Sequence, residues 1–137
     1  MSETPEAAVK REIRTRLAGH LHRAPVTGGY GRSGQLDFVC CIHGHYVAIE
    51  AKSVRSSYGT RGPTALQWAE IDAILAAGGI AMSIDETQYG ALQSTITALE
   101  FGLVEQAAQH AAATLARHTR PTLTVNDEPQ PRKKERK

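Results

Sequence analysis

The stretch from Gly34 to Lys52, GQLDFVCCIHGHYVAIEAK, constrains the fold more than any other part of the chain. Apolar β-formers (Phe38, Val39, Ile42, Tyr46, Val47, Ile49) flank His43-Gly44, and a glycine there supplies the positive φ that a two-residue hairpin turn requires. With His43 and Gly44 as the turn, Ile42 faces His45, and stepping outward along the ladder sets Asp37 directly opposite Glu50. Facing residues of an antiparallel pair carry Cβ atoms roughly 5 Å apart, and the strand period of two puts Lys52 on the Glu50 face. Two carboxylates and an ammonium are thus expected to converge. Phe38, Cys40, Ile42, Val47 and Ile49 fall on the opposite face, apolar enough to be the core side. The expected hairpin therefore separates a chemical face from a buried one.

The flanking segments alternate between helix and strand patterns. Thr4-Pro5-Glu6 is a helix start, with a hydroxyl to cap, a proline in the first turn and an acid near the positive end of the dipole. Val9, Ile13, Leu17 and Leu21 recur as the buried stripe, Lys10, Arg11, Arg14 and Arg16 form a mostly solvated basic side, and His20 and His22 sit at the polar end of the same helix. Glu6 lies only about 20° around the helical wheel from Ile13 and so points toward the sheet, whereas Glu12 belongs to the surface.

Next, PVTGGYGRSG places Tyr30, Arg32 and Ser33 among glycines, which excludes a helix and leaves either a flexible connection or a loop able to approach a ligand closely. After the hairpin, a polar loop carries Arg55 and Arg61. Thr64 opens a second helix with Trp68, Ile71 and Leu75 as its stripe and Gly78-Gly79 as its stop. A strand over residues 80–84 follows. Residues 86 to about 118 read as two alanine-rich helices broken near Gly102, with Leu92, Ile96 and Leu99 on one stripe and Leu103, Ala107, Ala111 and Leu115 on the other. Their apolar faces suit either capping of the core or a subunit contact.

Length and composition, 137 residues with 41% hydrophobic and 22% charged, fit one soluble domain. No apolar run approaches the roughly 20 residues of a membrane span, and the N-terminus lacks a signal-peptide core, so a cytoplasmic location is expected. Cys40 and Cys41 are neighbours on a strand and point to opposite faces, so they are not expected to pair. The same alternation, with His43 and His45 straddling the turn, argues against a tetrahedral zinc site. Net charge is only +2, but residues 10–61 carry nine basic against three acidic side chains, residues 62–119 one against six, and the final RKKERK five against one. A polyanion would meet the first half and the tail.

Clustered carboxylate oxygens are the hard ligands that Mg²⁺ or Mn²⁺ prefers, and such an ion commonly takes substrate phosphate oxygens as well. The ordered set Asp37, Glu50-Ala51-Lys52 resembles the PD-(D/E)xK nuclease superfamily, and more closely its VRR-NUC family of phage and bacterial replication-repair nucleases. TPEAAVKREI, PVTGGYGRSGQLDFV, HYVAIEAK, PTALQ and AAGGIAM are similar to successive blocks of that family, covering roughly residues 3 to 85. Leu36 stands where the superfamily name expects proline.

The resemblance implies an α/β fold: a PD-(D/E)xK restriction-endonuclease-like core, a mixed sheet of about four strands flanked by helices, and extra C-terminal helices. Residues 1–118 would form a single nuclease domain, with the core over about 3–85 and a helical extension over 86–118, followed by a disordered basic tail over 119–137. It implies that Asp37 and Glu50 ligate the metal, with the Ala51 carbonyl as a further ligand, and that Glu6 reaches the ion directly or through water. Lys52 would be the catalytic lysine and Gln67 would support lysine or substrate, although Thr64-x-x-Gln67 is also a capping box.

The implied function is a Mg²⁺- or Mn²⁺-dependent, structure-specific DNA endonuclease of Holliday-junction-resolvase type, acting as a homodimer in a bacterial or phage-infected cell, with no small-molecule cofactor. The alternatives are a restriction-type endonuclease that reads sequence and a non-catalytic nucleic-acid-binding module. Tyr30, Arg32, Ser33, Arg11, Arg14, Arg55 and Arg61 are the candidate DNA contacts. Deleting residues 120–137 should weaken DNA binding chiefly at low salt; an unchanged salt dependence of the affinity would make the tail a bystander.

Overall fold

The turn of the hairpin is built as its two residues require. In the computed structural model, which describes residues 3–25, 34–56 and 62–121, His43 and Gly44 have φ of 50° and 83°. That pair of left-handed residues is the turn whose twist matches two antiparallel strands. Strand β2 (Phe38–Ile42) pairs with β3 (His45–Ala51) in the expected register, from Ile42 opposite His45 to Phe38 opposite Ile49. Helix α2 (Ala65–Ala76) carries the chain across to β4 (Ile80–Ile84), which lies parallel to β3. A parallel neighbour needs such a crossover, because its start lies at the far end of the sheet.

One strand was not expected. Helix α1 spans Pro5–Arg16, and Leu21–Arg23 form the short strand β1, antiparallel to β2 with Leu21 opposite Cys41. The stripe from Val9 therefore ends at Leu17, which is fully buried, while Leu21 is 59% exposed on the sheet edge. Gly19, at φ 91°, reverses the chain between the two elements, so His20 and His22 leave the helix end and His22 sits in β1. Among the described residues the sheet order is β1-β2-β3-β4, a mixed sheet of four strands in an α/β arrangement with four helices.

Both faces of this sheet are covered. Phe38, Cys40, Ile42, Val47, Ile49, Ile80, Met82 and Ile84 form one core with Val9, Ile13 and Leu17 of α1 and with Leu92, Ile96 and Leu99 of α3 (Tyr89–Glu100). On the other face Val39, Ala48 and Ala81 meet Leu36 and the α2 residues Trp68, Ile71 and Ile74. Ile74, rather than Leu75, turns inward at the end of α2 because Gly78 and Gly79 fold back over it: Gly79 N–H donates to the Ile74 carbonyl at 2.9 Å, and a Cβ on Gly79 would lie 2.8 Å from Ile74 Cγ2. Gly34 makes a similar close approach at φ 85°, where a Cβ would come within 2.5 Å of the Leu66 carbonyl oxygen.

Helix α4 (Val104–Ala116) lies along the edge strand β4. Its Ala107 and Ala111 join the first core and its Leu115 the second, while Leu103 stays half exposed at its start. The helices whose apolar faces suited two roles thus cap the core. Arg120, just beyond, forks onto Asp72 at 2.7 and 2.9 Å and stacks over Trp68. Among the described residues no helix is long and apolar enough to cross a membrane.

An edge strand presents unpaired N–H groups that must find partners. Ser83 N–H of β4 donates to Thr114 Oγ of α4 at 3.2 Å, in a buried position. Thr114→Val keeps the shape and removes the acceptor, so it should lower the unfolding free energy by about 1–3 kcal/mol in chemical denaturation. A change near zero would show that the strand edge does not depend on this bond.

Candidate metal and active site

The register of the hairpin delivers the first two acids. Asp37 is the residue immediately before β2, and continuing the ladder by one step sets it across from Glu50, which pairs with Ser83 on its other side. The two carboxylates clasp the strand ends: Asp37 N–H donates to Glu50 Oε1 at 3.2 Å, and Ala51 N–H donates to Asp37 Oδ2 at 2.8 Å. Ala51 closes β3, and its N–H is thereby committed to the cluster.

Glu6 arrives from the first turn of α1. Thr4 caps that helix by accepting from Ala7 N–H at 3.1 Å, Pro5 fixes the first turn, and the buried Val9 and Ile13 fix its rotation. Glu6, Asp37 and Glu50 offer three carboxylate oxygens that all lie within 4.8 Å of one another. Oxygens on a six-coordinate Mg²⁺ are about 3–4 Å apart, so only small side-chain adjustments separate this set from a ligand set for Mg²⁺ or Mn²⁺. The donors are hard oxygens throughout, which fits those ions and not a soft one.

Lys52 and Gln67 both reach Glu50. Lys52 Nζ is 3.2 Å from Glu50 Oε2, and its own N–H continues the sheet by donating to the Ile84 carbonyl at 2.9 Å. Gln67 Nε2 donates to the same Oε2 at 2.8 Å, while Gln67 Oε1 accepts from Thr64 N–H at 2.9 Å and Thr64 Oγ accepts from Gln67 N–H at 3.2 Å. The capping box and the contact with the acid are therefore two uses of one side chain, not rivals.

The expected split between an open chemical face and a buried one does not hold. α2 covers the Glu50 face, leaving Glu50 2% exposed and the Lys52 side chain 13%. Burial, reinforced by the facing charge of Asp37 and partly offset by Lys52, pushes the Glu50 carboxyl up to about 8. Cys40 is likewise no ligand: it is buried, its thiol donates to the Val47 carbonyl at 3.4 Å, and burial raises its pKa to about 12.

Lys10, expected on the mostly solvated basic side of α1, is only partly exposed and its Nζ lies 3.4 Å from Asp37 Oδ1. Its position four residues after Glu6 was the available signal, because i and i+4 share a helix face. Also unforeseen is a brace behind Lys52, where Ser53 Oγ donates to Glu86 Oε2 at 2.5 Å and Val54 N–H to Glu86 Oε1 at 3.0 Å. Next to it the buried Asp85 pairs with Arg117 and accepts from Thr87 N–H at 2.8 Å.

Three of the basic residues expected to contact DNA have partners within the chain. Arg11 forks onto Glu3 at 2.9 Å, Arg14 lies 6.0 Å from the centre of the Phe38 ring, and Arg55 is largely exposed with its Nε 3.7 Å from Glu86. Tyr30, Arg32, Ser33 and Arg61 lie outside the described residues. No family model, curated protein or solved structure matches the chain.

The raised Glu50 pKa has a direct consequence for stability. Between the ordinary glutamate value of 4.5 and about 8 the folded protein keeps a proton on Glu50 that the unfolded chain has lost. Stability therefore falls as pH rises through that window, by at most about 1.4 kcal/mol per pH unit. In the presence of a chelator, Glu50→Gln should flatten the fall in melting temperature between pH 5 and pH 8. An unchanged pH profile in that variant would mean that Glu50 is ionised throughout.

Proposed function

We propose that this chain is a PD-(D/E)xK nuclease of the VRR-NUC kind, a divalent-metal-dependent endonuclease that hydrolyses phosphodiester bonds in branched DNA. The observation that carries the reading is the convergence of Glu6, Asp37 and Glu50 within 4.8 Å, with Lys52 and Gln67 both bonded to Glu50 Oε2. Isolated surface acids have no need of such a shell. Three elements and a strand-end register bring it together, at the carboxyl ends of the parallel strands, where open α/β sheets commonly place their sites.

Glu6, Asp37 and Glu50 are the residues that would hold Mg²⁺ or Mn²⁺. When bound, such an ion supplies Lewis-acid polarisation of the phosphate and a water of lowered pKa. The protein's own groups do the rest. Lys52 keeps an ammonium beside Glu50, where it orients the attacking water and offsets charge that grows on the phosphate oxygens. Gln67 fixes the Glu50 carboxylate so that its orientation does not depend on substrate. The water oxygen joins phosphorus, the bond to one sugar oxygen breaks, and that oxygen leaves with a proton. A single cluster cuts one strand at a time, so resolving a four-way junction would take two copies of the chain.

Purified protein with Mn²⁺ or Mg²⁺ should nick or cut branched substrates in a panel of junction, flap, fork, single-strand and duplex DNA, and excess chelator should stop it. Asp37→Ala and Lys52→Ala should each lose at least about a hundredfold in rate while still binding DNA. Wild-type cutting by Lys52→Ala, or cutting that persists in chelator, would falsify the mechanism.

A further inference from the structure

The donors around the acid cluster differ in how firmly they are held. Glu50 Oε1 and Asp37 Oδ2 are served by backbone N–H groups of Asp37 and Ala51, locked into the hairpin. Glu50 Oε2 is served by Gln67, itself pinned in the capping box, and by the nearly buried Lys52. Asp37 Oδ1 has a different kind of partner. Lys10 Nζ reaches it at 3.4 Å from a side chain that is 37% exposed, rooted on the surface of α1 one turn after Glu6.

Two positive groups therefore have a claim on Asp37. A divalent cation held by the three acids needs that carboxylate, and its charge repels an ammonium at the same place. A lysine head can move away on its four-carbon stem without disturbing the helix backbone. From an exposed position at the rim it leaves toward solvent, the direction from which a DNA strand must arrive. A compact ammonium is a good partner for a phosphate oxygen.

We propose that Lys10 is the exchangeable ammonium of this site: it pairs with Asp37 until a divalent cation takes that carboxylate, and then contacts a phosphate of the DNA backbone. The inference rests on the nuclease reading. It gives one side chain two effects of opposite sign. Lys10 weakens the hold of the acids on the cation and strengthens the hold of the protein on DNA. A lysine that merely decorated the helix would produce neither, and one that merely oriented Asp37 would strengthen cation binding.

The test compares wild-type protein with Lys10→Met and Lys10→Arg. Mn²⁺ binding is measured calorimetrically without DNA. Binding of a fluorescent four-way junction is measured in Mn²⁺ over a range of salt, each variant being placed in a Lys52→Met background so that cutting does not intervene. Lys10→Met should bind Mn²⁺ about three- to fivefold more tightly, the scale of a partly exposed ion pair. It should bind the junction about tenfold more weakly at low salt, with a salt slope smaller by about one. Lys10→Arg, which keeps the charge, should stay near wild type in both. Unchanged or weaker Mn²⁺ binding by Lys10→Met, or unchanged junction affinity, overturns the inference. If wild-type protein takes up no Mn²⁺ and Asp37→Asn behaves identically, the nuclease reading falls and takes the inference with it. If Mn²⁺ binds through Asp37 and Lys10→Met matches wild type, only the role of Lys10 falls.

Discussion

A carboxylate buried at the end of a four-stranded sheet is the constraint around which this molecule is arranged. Glu50 is 2% exposed, and a charge so placed is costly unless opposite charge and hydrogen bonds meet it. Burial and the facing Asp37 carboxylate raise its pKa and Lys52 offsets part of the rise, while Lys52, Gln67 and the Asp37 N–H all direct positive or donor groups at its oxygens. Each of those donors comes from a different piece of structure: the end of β3, the first turn of α2 and the start of β2. The hairpin register and the α2 crossover must therefore both be in place before Glu50 can be buried at all. An arrangement that leaves a carboxylate this hard to ionise also leaves it ready to gain from a cation, because a positive ion reverses the sign of the burial penalty for the charged form.

The acid cluster draws on both layers of the fold, and its position at the strand ends makes that possible. α1 and α2 lie on opposite faces of the sheet, packed through Val9, Ile13 and Leu17 on one side and Trp68, Ile71 and Ile74 on the other. In mid-sheet their polar side chains could not meet. Asp37 stands just before β2 and Lys52 just after β3, where the sheet stops separating the layers, so Glu6 and Lys10 from α1 reach one side of the acid cluster, at Asp37, and Gln67 from α2 reaches Glu50 on the other. Glu6 and Lys10 lie one helical turn apart with opposite charges, so the rotation of a single helix delivers both.

The C-terminal helices hold the frame behind this site. Glu86, just after β4, grips Ser53 and the Val54 N–H, the two residues that follow Lys52. Asp85 is buried against Arg117 at the end of α4 and against Thr87, and Thr114 supplies an acceptor to the outer edge of β4. The exits of β3 and β4 are thereby tied to each other and to α4. Lys52 lies between these ties and the strand that carries it.

How much of this was legible in the sequence divides along the range of the interactions. The hairpin, its register, the facing of Asp37 and Glu50, the cap at Thr4 and the capping box at Thr64 were all readable, because turn chemistry, strand alternation and helix caps act over a few residues. The strand at Leu21–Arg23 was not, since three residues carry no period and their β structure exists only by pairing with β2. The hairpin pattern marked one face as apolar but could not reveal that α2 also closes the other, burying Glu50. The wheel gave the direction of Glu6 but placed Lys10 with the solvated side, and it could not show the acids that both meet. A local pattern sets which way a side chain points; what it meets is decided by elements that packing brings together from distant parts of the chain.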